Sequence, residues 1–117
     1  MTSEAALYNI PRSLAAVSVA TTPALFVPNA KAAERFFEFF TANIRNKNTR
    51  RAYYKAVCRF ADWCEGRGFR DLASVRPLHV AAYIEALGGE RAKPTVKQHL
   101  AALRMLFDWL VVGQVID

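Results

Sequence analysis

Six bases, Arg45, Lys47, Arg50, Arg51, Lys55 and Arg59, lie between Glu38 and Asp62 with no carboxylate among them. A second acid-free window, residues 91–104, holds Arg91, Lys93, Lys97 and Arg104. The two windows carry ten of the sixteen Lys and Arg and none of the ten Asp and Glu. Random scatter would rarely clear both. The chemistry open to such residues is anion binding. Phosphate oxygens are met by Arg and Lys, by Asn and Thr side chains, and by amides at helix N-termini. "RNKNTRR" and "RAKPTVKQ" supply all three. Reading base edges in a major groove asks for Arg, Lys, Asn or Gln beside small residues that permit close approach. Arg51 with Ala52 and Lys55, and Lys97 with Gln98 and Ala101, meet that requirement. The candidate contacts are therefore Lys47, Asn48, Thr49, Arg50, Arg51, Ala52, Lys55 and Arg59 in the first window. In the second they are Lys93, Thr95, Lys97, Gln98, Ala101 and Arg104. Tyr54, off the main apolar stripe, is a further candidate for a phosphate. The bland alternative is a pair of solvated amphipathic faces.

Covalent chemistry has less to work with. His79 and His99 are the only histidines, and a lone histidine on a helix is more often structural than a base or ligand. No glycine-rich phosphate loop, serine elbow or metal-ligand spacing occurs. Asp62 and Glu65 read as a solvated helix end. Cys58 and Cys64 sit six apart on different faces of one expected helix, so they make no disulfide framework. The expectation is a chain with no catalytic residues, no metal and no cofactor.

These side chains need elements to position them. At 117 residues with 53% hydrophobic content, the chain is long enough for one core, and five Gly and five Pro are too few for disorder. Residues 1–29, with three prolines and no helical period, read as an extended or flexible arm that can lay "ALFV" on the body. Four helices follow over residues 30–113. The first runs from about Ala30 to Ile44, with Ala33, Phe36, Phe37, Phe40 and Ile44 inward. The second starts at an Asn48 or Thr49 cap and ends near Gly66-Arg67-Gly68. It buries Tyr53, Val57, Phe60 and Cys64. The third opens at Pro77, closes at Gly88-Gly89 and turns Val80, Tyr83, Ile84 and Leu87 inward. The fourth runs from Pro94 or Thr95 to about Val112 on a stripe of Val96, Leu100, Leu103, Phe107 and Leu110. Lys97, Ala101, Arg104 and Asp108 form its polar side. The fold class is all-α.

"NTRRAYYKAVCRFADWC", followed by a helix and then "KPTVKQHLAALRMLFDWL", resembles the amino-terminal core-binding, SAM-like domain of tyrosine recombinases and phage integrases, nearest to the Cre-type recombinases. The resemblance covers about residues 30–112. It implies a four-helix orthogonal bundle forming one half of a clamp around duplex DNA. The second and fourth helices would face the major groove of a recombination half-site. Carried over residue by residue, it selects Thr49, Arg50, Arg51, Ala52 and Lys55, then Lys93, Thr95, Lys97, Gln98, Ala101 and Arg104. It also implies a separate catalytic domain with a tyrosine nucleophile, and further recombinase protomers in a tetrameric synapse. The family's catalytic arginines, lysine and histidines find no counterpart here: neither histidine has the His-x-x-Arg spacing.

Two other classes compete. A stand-alone DNA-binding regulator would want two helices joined by a turn of three or four residues, and the gap from Gly66 to Pro77 is longer. A helical protein-interaction module would use Phe39, Met105 and Trp109, which fall off the main stripes. No apolar run approaches the ~20 residues that span a bilayer, and "SLAAVSVATTPA" lacks a basic flank. A reducing cytoplasm is the expected location.

Overall fold

The computed structural model describes residues 23–113. Among them the regular elements are helical throughout. The long helices are α1 (Ala30–Glu38), α2 (Lys47–Gly66), α3 (Pro77–Gly88) and α4 (Lys93–Val112). Short 3-10 turns stand at Ala24–Phe26 and Leu72–Ser74. Residues 1–22 of the expected arm lie outside the described residues. Its last part joins the body, with Leu25 and Phe26 buried and the Phe26 ring stacked 5.2 Å from Phe36.

Asn29 caps α1 by accepting from the Ala32 amide at 2.8 Å. After Glu38 the helix widens into a π-type turn, Phe39–Asn43. Phe39 itself is still held by a regular turn, its amide donating to the Arg35 carbonyl. Beside Phe40 it is covered by Trp109 of α4, so that Phe39 and Phe40 are both fully buried. The carbonyl of Phe37, loosened by the wider turn, accepts from Thr41 Oγ1 at 2.9 Å. Phe39 is therefore core, not the exposed partner contact expected from its spacing.

Asn46, not Asn48 or Thr49, caps α2: its side chain accepts from both of their amides, at 2.9 and 3.1 Å. The helix starts earlier than expected because Asn46 already holds extended backbone. At its other end the Phe69 amide reaches the Cys64 carbonyl and the Gly68 amide reaches Glu65. This Schellman closure needs a left-handed residue, and Gly68 supplies it at φ 86°.

Phe36, Phe37, Phe39, Phe40, Phe60, Val57, Cys64, Leu103, Leu106 and Leu110 fill the centre, and no polar or charged side chain is buried among the described residues. Tyr54 belongs to this core. It is 8% exposed and lies edge-on to Phe40 at 5.3 Å. That position removes it from the candidates for a phosphate contact. Six residues expected on the inward stripes, Tyr53, Val80, Ile84, Val96, Leu100 and Phe107, are half-buried. For α4 the reason is a rotation. Ala102 and Leu106 take central places, while Leu100 and Phe107 face an open groove of about 630 Å³ between α3 and α4.

Candidate nucleic-acid interface

The most extensive helix contact joins α2 to α4. Ala56 and Ala102 are both fully buried, and side chains that short let helix axes approach closely. On α2, Arg51, Lys55 and Arg59 recur every four residues, so they form one row on the side away from Val57, Phe60 and Cys64. Arg51 and Lys55 are exposed and Arg59 is half-buried. Lys47 and Asn48 are exposed at the helix start, with Thr49 and Ala52 half-covered. With capping done by Asn46, the side chains of Asn48 and Thr49 are released from that task.

Arg50 has a different occupation. Its Nη2 and Nε donate to the Ile44 carbonyl at 2.9 and 3.3 Å, folding the guanidinium back onto the joint between α1 and α2. This arginine braces the start of α2.

On α4, Lys93, Lys97, Gln98 and Arg104 are exposed, and Thr95 and Ala101 are half-covered. The N-cap position is Ala92, and no side chain caps the helix. The positive end of the helix dipole therefore faces outward beside Lys93 and Lys97. Arg104 stands at the edge of the α3–α4 groove with Asp108, rather than in the seam with α2.

Sequence reasoning missed a junction of three elements at the start of α4. Arg59 Nη2 of α2 donates to Glu90 Oε2, in the turn after α3, at 2.9 Å. Beneath them the Tyr83 hydroxyl meets His99 Nδ1 at 3.3 Å. Tyr83 is buried against Phe60 at 5.2 Å and Trp63 at 5.6 Å. Burial pushes the Tyr83 phenol up, with Arg59 pulling it back. Burial also pushes His99 below its ordinary value, and Arg59 and Arg91 act in the same direction. The signal available in the sequence was the lone Glu90 bordering an otherwise acid-free window. The junction ties the second half of α2, not its start, to the first turns of α4.

The remaining reactive groups serve the fold. His79 Nδ1 accepts from the Arg76 amide at 2.9 Å, and its ring packs 4.1 Å from Phe69. Both cysteines are free thiols. Burial pushes each up to about 11; for Cys58 a Tyr54 hydrogen bond acts against the shift and Asp62 adds to it. Thiols that weakly acidic are poor nucleophiles at neutral pH. No cluster of His, Cys, Asp and Glu among the described residues could hold a metal ion. No described helix is long and apolar enough to cross a membrane.

The geometry therefore presents a cationic surface on a compact helical frame. The model of the phage integrase N-terminal SAM-like domain matches residues 33–117. No curated protein and no solved structure matches the chain. The family match begins inside α1 and takes in the other three helices together with every candidate contact, well over half of the chain. On that span the chain belongs to the tyrosine recombinase and phage integrase family, as its N-terminal SAM-like domain.

Proposed function

We propose that this domain grips duplex DNA at a recombination half-site, as one half of a clamp, for a site-specific recombinase. The outer faces of α2 and α4 lie against the major groove. Arg51, Lys55, Lys93 and Lys97 meet phosphates, and Gln98 beside Ala101 reads a base edge. Cutting and rejoining belong to a separate catalytic domain of the recombinase. Further protomers complete a tetrameric synapse in the cytoplasm. The observation that carries this reading is the pairing of α2 with α4 while both acid-free windows keep exposed cations. A shared surface is what the charge distribution required, since lysines and arginines far apart in sequence can act on one duplex only from neighbouring elements.

The protein-interaction reading has lost much of its support. Of its three contacts, Phe39 is in the core and Trp109 is turned onto Arg35; Met105 remains exposed. The test is a titration of labelled duplex at two salt concentrations. Steeply salt-dependent binding is the expected result, because each neutralised phosphate contributes about 0.9 to the slope of log K against log salt. Binding that salt leaves unchanged, or no binding, overturns the proposal.

A further inference from the structure

We infer that the α2–α4 junction is a phosphate site whose present occupant is the chain's own Glu90, to be displaced by a phosphodiester of the duplex. The inference rests on the DNA-binding reading above and adds a site to it. Four observations point to it. First, Arg59 stands in the row of Arg51 and Lys55, so a duplex lying along that row passes over it. Second, its partner is held by a single short contact, 2.9 Å, between side chains that are 41% and 64% exposed. Pairs that open to water add little stability. Third, other cationic and polar groups converge there. Tyr83 lines the hollow with Arg59 and Glu90 and meets His99 at 3.3 Å, and the charge of Arg91 acts on both of those rings. Fourth, the Glu90 side chain projects into water from a turn whose backbone is held by the Glu90 and Arg91 amides on the Leu87 carbonyl. Rotation about its own side-chain bonds can withdraw the carboxylate without moving that backbone or any packed side chain.

The exchange is chemically even. A guanidinium offers paired N–H donors, and a phosphodiester presents two anionic oxygens where a carboxylate presents two. The duplex gains something further, because each phosphate neutralised releases counterions and Glu90 releases none. The hollow beside the pair, about 360 Å³, also carries Asp62. Two carboxylates therefore stand beside Arg59 until Glu90 swings away. The consequence is selective: Arg59 joins only a duplex seated closely enough to push Glu90 aside, and loose encounters meet a neutralised corner.

The test uses the whole chain, a labelled duplex and four proteins: the parent, Glu90→Gln, Arg59→Gln and the double variant. Glu90→Gln should bind more tightly with the parent's salt slope, since Arg59 meets the same phosphate in both. Arg59→Gln should lose about 0.9 of the slope, its affinity falling roughly 3.5-fold less than the parent's over a fourfold rise in salt. The gain from Glu90→Gln should vanish in the double variant. A gain that survives loss of Arg59 reflects general charge relief and overturns the site. So does Glu90→Gln binding no better than a parent that itself shows a steep slope, an outcome that leaves the DNA-binding reading intact. If no protein of the four binds duplex, both readings fall together. Melting curves for each variant exclude unfolding as the cause.

Discussion

Arg35 and Arg59 both reach from one helix to another element, yet they do opposite work. Arg35 Nη2 donates to the Trp109 carbonyl at 3.0 Å, while Trp109 Nε1 donates to the Arg35 carbonyl at 2.8 Å. The guanidinium lies 4.0 Å from the centre of the Trp109 ring and pairs with Glu38 at 3.3 Å. Its Nε is buried without a hydrogen-bond partner, facing Gly113. Arg59 has a single carboxylate at an open edge. A cation enclosed by an indole and reciprocal backbone bonds is committed to the fold. A cation held by one solvated carboxylate stays available to a ligand. Net charge cannot distinguish the two; the surroundings of each guanidinium can.

The comparison breaks first at Trp109. Trp109→Ala removes the ring under Arg35, the 2.8 Å hydrogen bond and the tilted contact with Phe39. Stability should fall by about 3 kcal/mol, with a melting temperature lower by roughly 10 °C or more. The salt slope of DNA binding by the folded fraction should stay as in the parent. A loss below about 1 kcal/mol by denaturant titration would show that the enclosure of Arg35 is not structural.

The cationic face should behave in reverse. In the triple variant Arg51→Ala, Lys55→Ala, Lys97→Ala, the slope should drop by about 2.7. That makes the fall in affinity over a fourfold salt rise about 40-fold smaller than the parent's. Its stability should stay within about 0.5 kcal/mol. Unchanged anisotropy titrations would remove these residues from the interface.

A smaller effect sharpens the Arg35 side. An added Cβ at Gly113 would collide with Arg35 Nε and come within 2.8 Å of Cζ. Gly113→Ala should displace the guanidinium and cost about 1 kcal/mol, the worth of one such hydrogen bond. A variant as stable as the parent would place Arg35 elsewhere in solution.

The smallest effect concerns His99. Its folded pKa lies below its ordinary value of 6.5, chiefly through burial and then through Arg59 and Arg91. Just below 6.5 the unfolded chain therefore binds more protons than the folded one. Stability should decline as pH falls through that value and level off once pH is below the folded pKa. His99→Gln should flatten this part of the profile in urea titrations from pH 7.5 to 5. An identical decline in the variant would assign the effect to other groups.

The order of helices and most of the interior were legible because 3.6-residue periodicity reports burial directly. Phe36, Phe37, Val57, Phe60, Tyr83 and Leu103 were placed inside on that signal, and they are inside. Phe39 reads as exposed because it falls off the stripe of its own helix; Trp109 of α4 covers it, and periodicity within one helix does not report a neighbour on another. Tyr54 looked peripheral because its stripe was drawn through Tyr53; the aromatic rings of Phe36 and Phe40 draw Tyr54 inward instead. On α4, Leu106 was missed because the stripe through Phe107 presumed that α3 closes over it. The acid-free windows were plain in the sequence. Which cations are already engaged was not, since Arg50, Arg59 and Arg104 differ only in their three-dimensional neighbours.

The π-type turn at Phe39–Asn43 has a bearing on how relatives are compared with this chain. Five residues complete a circuit that elsewhere takes fewer, so positions before and after it are out of phase by one. A relative with a regular helix there aligns on Phe36 and again on Ile44 only if a single-residue gap is opened between them. An ungapped alignment would set the buried Ile44 opposite a surface residue and score a mismatch where the folds agree. Covariation across this joint, counted without that gap, would couple the wrong partners. The two sides of the turn are better anchored separately, the first on Phe36 and Phe37, the second on the Asn46 cap.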